Sequence, residues 1–272
     1  MRPSRTTGLV GAGSVCQSFL ARLPSLLVRL GPVKGISIRT SRRIANTLRA
    51  GSAVADYSEF ESCEAVWISV PENQLEDLSD ELAQRVDLDG KRVVFCDSLR
   101  DSRQAGALRR AGARVVSLNP VPETQERVFV AEGDGLVMAE LRKLLAADQR
   151  TLTELRPSSK PLYLSGVNLA LQLLLPWIGG AVESLRAAGF SRMEATRLVH
   201  TFGSRALRAY CRAGDKAWNP QTQEGFQRAL EQDLELIGTA DRRLAILHSQ
   251  GMECAHQFFS RKAPRKTETA QG

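Results

Sequence analysis

The chain has 272 residues, 43% of them hydrophobic and 25% charged, which is ordinary globular usage and excludes disordered, collagen-like and fibrous architectures. Its formal net charge of +7 is set mostly by its ends, because Arg2 and Arg5 contribute +2, and Arg261, Lys262, Arg265 and Lys266 against Glu268 contribute +3. The body is close to neutral and lacks the concentrated basic face of a nucleic-acid binder, and the length suits one large domain or two modest ones.

In chain order, the first half alternates short β-rich runs with amphipathic stretches, the pattern that builds βαβ units around a parallel sheet. Residues 7–10 predict a strand entering a glycine turn, and residues 14–30 carry Val15, Phe19, Leu23, Leu26, Leu27 and Leu30 at helical spacing until Gly31 and Pro32 stop the helix. Strands are then expected at 33–39, 65–70, 93–96, 114–118 and 128–131, and helices at 41–50, 74–85, 102–111 and 136–147. Residues 151–155 form a short strand or connector, and Pro157-Ser158-Ser159-Lys160-Pro161 reads as a hinge, with Lys160 as one of its residues. Beyond it only helices are predicted, with breaks at Gly189, at 214–220 and near Gly238. Ser191-Arg192-Met193-Glu194 is a capping box that fixes one helix start at Ser191. The expected domains are 1–156, α/β with a doubly wound parallel sheet, and 157–260, all-helical, followed by a disordered basic tail at 261–272.

The strongest chemical signal is Gly8-Leu9-Val10-Gly11-Ala12-Gly13-Ser14-Val15-Cys16, which leaves the first strand and opens the first helix. Gly11 permits the tight turn, Gly13 lets a pyrophosphate approach the backbone, and the free amides at Ala12, Ser14 and Val15 meet its charge. Cys16 replaces the third glycine of the dinucleotide fingerprint. An NAD site places an acidic residue about 20 positions further on, to hold the ribose hydroxyls. Here the second strand ends in Arg39-Thr40-Ser41-Arg42-Arg43, three guanidiniums and two hydroxyls with no carboxylate, a set that suits a 2′-phosphate. The expected cofactor is NADP.

Ligands of open α/β sheets lie beyond the carboxyl ends of the strands, so Val70 and Pro71 should line the cofactor, with Ser98 and Asn119 at its nicotinamide end. Hydride chemistry there needs one group that can donate a proton. Candidates in the helical half are Lys160, Ser165, Asn168, His200, Ser204 and Tyr210. Ser165 and Asn168 lie about one turn apart and are preferred as substrate-orienting groups. His200 sits among Leu198, Val199 and Phe202 and reads as a core histidine.

Five cysteines without C-x-x-C or Cys/His ligand spacing point to neither zinc nor a disulfide framework. His248 and His256, eight apart, are read as partly exposed helix residues, so no metal is expected. No run approaches the ~18 consecutive apolar residues of a membrane span, and the longest candidate, 169–182, contains Gln172 and Pro176 and reads as a buried helix. Trp177 and Trp218 are assigned to the helical core or a dimer face. The compartment expected is the cytoplasm, with no nucleic-acid or membrane partner.

The glycine turn, Ser69-Val70-Pro71, Ser117-Leu118-Asn119-Pro120 and the helical second half resemble the uncharacterised Rossmann-like proteins that join an NADP-binding domain to a helical domain of unknown function. These are relatives of pyrroline-5-carboxylate reductase and, more distantly, of the 6-phosphogluconate and β-hydroxyacid dehydrogenases. The resemblance implies a homodimer formed through the helical domain, which closes over the nicotinamide, and hydride transfer to or from a small carbonyl, imine or hydroxyacid substrate in an interdomain cleft. It departs from the family at Asn119-Pro120, where His-Pro is usual, at Ser98-Leu99, where Ser-Gly is usual, and at Ser165, where the β-hydroxyacid dehydrogenases carry lysine. The missing lysine and histidine leave a second reading, an NADP-binding sensor or assembly module without catalysis.

Overall fold

The computed structural model describes residues 6–12, 20–124, 127–218 and 234–260. The chain divides into two compact units, Met1–Gly166 and Val167–Gly272. The division falls ten residues later than the sequence expectation, because the first turns of a helix at Lys160–Leu171 belong with the sheet.

The first unit is an eight-stranded sheet, built from β1 (Thr7–Gly11), β2 (Leu30–Lys34), β3 (Ser52–Ala53), β4 (Ala65–Ser69), β5 (Arg92–Cys96), β6 (Arg114–Pro120), β7 (Val128–Gly133) and β8 (Thr151–Glu154). The order is β3-β2-β1-β4-β5-β6-β7-β8. Strands β1 to β6 are mutually parallel, β7 runs antiparallel to β6, and β8 is parallel to β7. This is a doubly wound α/β sheet with a reversed pair at one side. One face is covered by α1 (Pro24–Leu27), α2 (Ile38–Leu48) and α5 (Gly135–Ala147), which bury Leu26, Ile44, Leu48, Leu141 and Leu145 against Leu9, Trp67, Val94 and Val116. The other carries α3 (Leu75–Arg85) and α4 (Gly106–Arg110), whose Leu75, Leu82 and Leu108 meet Val10, Val66, Ile68, Phe95 and Val115. Each such leucine contributes about 1.5–3 kcal/mol on removal from water.

Several expected boundaries move for identifiable reasons. Gly31 and Pro32 lie inside β2, where the register steps from Thr7 opposite Leu30 to Leu9 opposite Val33. That bulge is what admits a proline between two paired strands. The second strand ends at Lys34, not Arg39, because Ser37 caps α2 by accepting the Thr40 N–H at 3.2 Å. The connector at 151–155 is a strand, and Ser52–Ala53 adds one that was not expected, so the six strands read from the sequence become eight.

The second unit contains α7 (Leu174–Ala187), α8 (Arg192–Ala213), α9 (Leu234–Ala240) and α10 (Arg242–Ser260), following α6 (Lys160–Leu171). The capping box stands as read: Ser191 Oγ accepts the Glu194 N–H, and Glu194 Oε2 accepts the Ser191 N–H at 3.0 Å. Trp218 stacks on Phe259 at 5.0 Å, within this unit. Residues 169–182, expected to be buried, are not: Leu169, Leu174, Leu175 and Trp177 are all exposed on the single chain. The stretch Lys160–Ala187 is also long and apolar enough by composition to cross a membrane, with a mean hydropathy of 1.4 over an 18-residue window within it. His200 is exposed, against the expectation of a core histidine, whereas His248 buries Nε2 without a partner. The tail at 261–272 and the side chain of His256 lie outside the described residues.

Candidate active site

The carboxyl ends of the parallel strands gather the candidate residues of the first unit. Of the glycine turn, Gly11 closes β1 opposite Ser69, and the Ala12 N–H reaches Ser69 O at 3.0 Å, so the chain leaves the sheet between β1 and β4. Gly13, Ser14, Val15 and Cys16 lie outside the described residues. Ser69, quoted from the sequence only as part of the Ser69-Val70-Pro71 strand end, is 1% exposed, and its hydroxyl has no hydrogen-bond partner among the described residues. A buried orphan hydroxyl is uncommon and marks a position awaiting a ligand atom or water.

The β2–α2 turn fits a phosphate. Arg39, Arg42 and Arg43 are exposed and make no ion pair among the described residues, and Thr40 Oγ1 stands 3.1 Å from Ser37 Oγ at the helix start. The first-turn amides and the positive helix end favour an anion. Ser41 behaves differently from its neighbours. It is fully buried, accepting the Gly35 N–H at 2.9 Å and facing the Ser37 and Val54 carbonyls at 3.1 Å, so its hydroxyl shapes the loop and is not free for a phosphate. Ser37 is the exposed hydroxyl that takes its place.

Val70 is half-buried and Pro71 exposed directly after β4. Beyond them a polar cluster extends across the ends of β5 and β6. Ser98 is 5% exposed; its Oγ donates to Glu72 Oε2 at 3.1 Å and accepts the Arg100 N–H at 2.9 Å. Asn119 is also 5% exposed; its Nδ2 donates to Ser98 O at 2.9 Å, and its Oδ1 accepts Ser117 Oγ at 3.2 Å. Both residues are thus braces between loops, with their hydrogen-bonding capacity largely spent inside the protein.

Lys160 is no hinge residue. It is 1% exposed, and its Nζ donates to Arg100 O at 2.7 Å and to Ser117 Oγ. Beside it, Glu132 is 3% exposed and accepts Ser102 N and Oγ, both at 2.7 Å. Burial pushes the Lys160 ammonium down to about 8, against the pull of Glu132, Glu72, Asp101 and Asp97. Asp97 and Tyr163 flank this cluster. Desolvation raises both, and the charge of Asp97 acts on the Tyr163 phenol. Ser165 and Asn168 are exposed on α6, one turn apart as expected. Among the described residues no group of His, Cys, Asp and Glu could hold a metal ion.

A concavity lies elsewhere, at the amino ends of β4, β5 and β6. It encloses about 530 Å³ and is lined by Glu64, Arg92, Arg114 and Glu140. Arg92 pairs with both Glu64 and Glu140 there, so its charges are already matched, and nothing in a parallel sheet directs a dinucleotide to that end.

No protein-family model matches the chain, and no curated protein does. Solved structures do. An imine reductase from Bacillus cereus is 16% identical, with a TM-score of 0.63 over 92% of this chain and 94% of its own. An imine reductase from Myxococcus stipitatus, solved in complex with NADP+, is 15% identical, with a TM-score of 0.61 over 92% and 95%. A pyrroline-5-carboxylate reductase from Coxiella burnetii is 13% identical, with a TM-score of 0.51 over 91% and 97%. The chain has the fold of these oxidoreductases. The Rossmann-type sheet followed by a helical region, expected from the sequence, is therefore present, at identities that speak for fold alone.

Proposed function

We propose that this protein is an NADP(H)-dependent oxidoreductase that transfers a hydride to or from a small carbonyl, imine or hydroxyacid substrate. The observation that carries the reading is the β2–α2 turn, where Arg39, Arg42 and Arg43 stand exposed around a capped helix start with no carboxylate in the position that selects NAD. The neighbouring imine reductase holding NADP+ supports the same cofactor. Arg39, Arg42, Arg43, Thr40 and Ser37 would hold the 2′-phosphate. The turn running from Gly11 through Ala12, Gly13, Ser14 and Val15 would take the pyrophosphate, and Val70 and Pro71 would border the nicotinamide half. When bound, the cofactor supplies or accepts the hydride. Ser98 and Asn119 keep the ends of β5 and β6 in register with one another, and Ser165 and Asn168 orient the substrate.

The reading includes a homodimer, supported by the exposed Leu169, Leu174, Leu175, Trp177 and Ile178, a run of large apolar side chains left to water on the single chain. It also includes the cytoplasm, supported by Cys63, Cys211 and Cys254, which form no disulfide among the described residues. The test is a titration with NADPH and NADH followed by nicotinamide fluorescence. NADPH should bind the more tightly, and Arg42→Ala and Arg43→Ala should each weaken it about tenfold while changing NADH little. A protein that binds neither nucleotide overturns the proposal. One that binds NADPH but oxidises it with no carbonyl or imine is a sensor, and the catalytic half of the proposal fails.

A further inference from the structure

Asp97 is the first residue beyond β5, and its backbone is in the left-handed region, at φ 54. Aspartate visits that region more readily than most residues, but the surroundings must hold it in place. Here the Asp97 N–H is fixed to Leu118 O at 2.8 Å, and the Asn119 side chain lies close enough to its carboxyl group to favour the charged form. Asn119 is in turn clamped by Ser98 and Ser117, and Ser117 by the buried Lys160. A chain of buried groups therefore ends in one exposed carboxyl at the carboxyl end of the parallel sheet, with the half-buried Tyr163 within reach of its charge.

The other charged groups of this region are satisfied inside the protein. Glu72 takes the Leu99 N–H at 2.9 Å and pairs with Arg100, Asp101 pairs with Arg103, and Glu132 is held by Ser102. Among the described residues of this cluster Asp97 is the exposed acidic group without an ion pair, and Lys160, whose charge reaches it, is held by Arg100 O and Ser117 Oγ. A substrate that reaches the end of β5 thus meets a negative charge on a rigid mount. That disfavours an anionic hydroxyacid, offers a neutral ketone no charge of opposite sign, and matches a cationic nitrogen.

We propose that Asp97 is the specificity-determining residue of this site, its carboxylate pairing with the protonated nitrogen of a small imine and selecting it over ketones and hydroxyacids. The inference rests on the NADP(H) oxidoreductase reading. In the reaction, hydride from NADPH adds to the carbon of the C=N bond and the π pair moves onto nitrogen. NADP+ leaves, and the amine so formed takes a proton from solvent. Asp97 donates nothing covalent; it orients the C=N bond and offsets the positive charge before transfer.

The experiment measures cation binding apart from turnover. Pyrrolidinium chloride, a product-like cation, is titrated by calorimetry into the full-length protein saturated with NADP+, alongside cyclopentanol as its neutral counterpart. The wild type should bind pyrrolidinium, Asp97→Asn should weaken it roughly tenfold to a hundredfold, and cyclopentanol should be unaffected. Reduction of 1-pyrroline by NADPH should fall in Asp97→Asn with KM raised, while the NADPH dissociation constant stays at the wild-type value, which also confirms that the variant is folded. Failure of the wild type to bind pyrrolidinium with NADP+ in place, or equal binding by Asp97→Asn, overturns the role of Asp97. Failure to bind NADP+ at all instead overturns the oxidoreductase reading on which it rests, and this inference with it.

Discussion

Replacing Lys160 by methionine should change how the stability of the sheet unit depends on pH. Burial lowers this ammonium from its ordinary 10.5 to about 8. Below that pH both folded and unfolded chains carry the proton, and the folded chain bears the cost of keeping a charge at 1% exposure. Between about 8 and 10.5 the folded state has lost the proton while the unfolded state keeps it, so Lys160 makes the wild type more stable as pH rises. The full shift corresponds to about 3 kcal/mol, of which about 2 kcal/mol should appear between about pH 7 and about pH 9.5. Other groups act oppositely over this range: burial holds the Cys63 thiol up at about 11 and raises Tyr57 further. The decisive quantity is therefore the wild-type stability minus that of Lys160→Met, in which those contributions cancel. Urea unfolding would be followed by Trp67, which lies in β4, in a background with Trp177→Phe and Trp218→Phe. The difference should grow by about 2 kcal/mol from the lower to the higher pH. A difference that stays flat within about 0.5 kcal/mol would refute the claim that Lys160 is charged and desolvated in the folded chain.

The capping box offers a second check, because Ser191→Ala leaves the Glu194 N–H unpaired and should cost about 1 kcal/mol of helical-unit stability by chemical denaturation. Gly133→Ala should be far worse: φ is 138 there, and a Cβ would meet Val115 O at 2.4 Å, so little soluble protein should be recovered on expression. Ser37→Ala should weaken NADPH binding several-fold in the fluorescence titration, whereas Ser41→Ala should lower the melting temperature first, because its hydroxyl serves the loop. Leu174→Glu with Ile178→Glu should shift sedimentation equilibrium from dimer to monomer; a monomeric wild type would defeat that part of the proposal.

The parts legible in the sequence were those governed by local rules. The glycine turn, the basic β2–α2 turn and the Ser191 capping box each depend on a few adjacent residues, and the strands at Ala65–Ser69 and Arg92–Cys96 were visible as continuous apolar runs. Pro32 misled because a bulge, which needs the partner strand to be known, reconciles proline with pairing. Lys160 misled for a related reason. Its neighbours in sequence are Ser159 and Pro161, typical hinge residues, yet its partners are Arg100 and Ser117, brought to it only by the order of the sheet. Asp97 carried no local mark beyond standing after a strand; its left-handed backbone and its N–H bond to Leu118 O are products of the β5–β6 pairing. The apolar run at 169–182 was read as core because sequence cannot tell an apolar surface buried by its own chain from one that the chain leaves exposed.

The two outermost strands of the sheet have a consequence for how copies of this protein could associate. On one side β3 is only Ser52–Ala53, and on the other β8 ends in Glu154, paired with Arg142, with Thr151 and Thr153 exposed. Short and charged edges are poor templates for adding a further strand. Growth of the sheet from one molecule into the next is therefore blocked at both sides, which guards the most aggregation-prone geometry in the fold. Self-association is left to side-chain packing between helices, which unlike strand addition saturates once its apolar surface is covered.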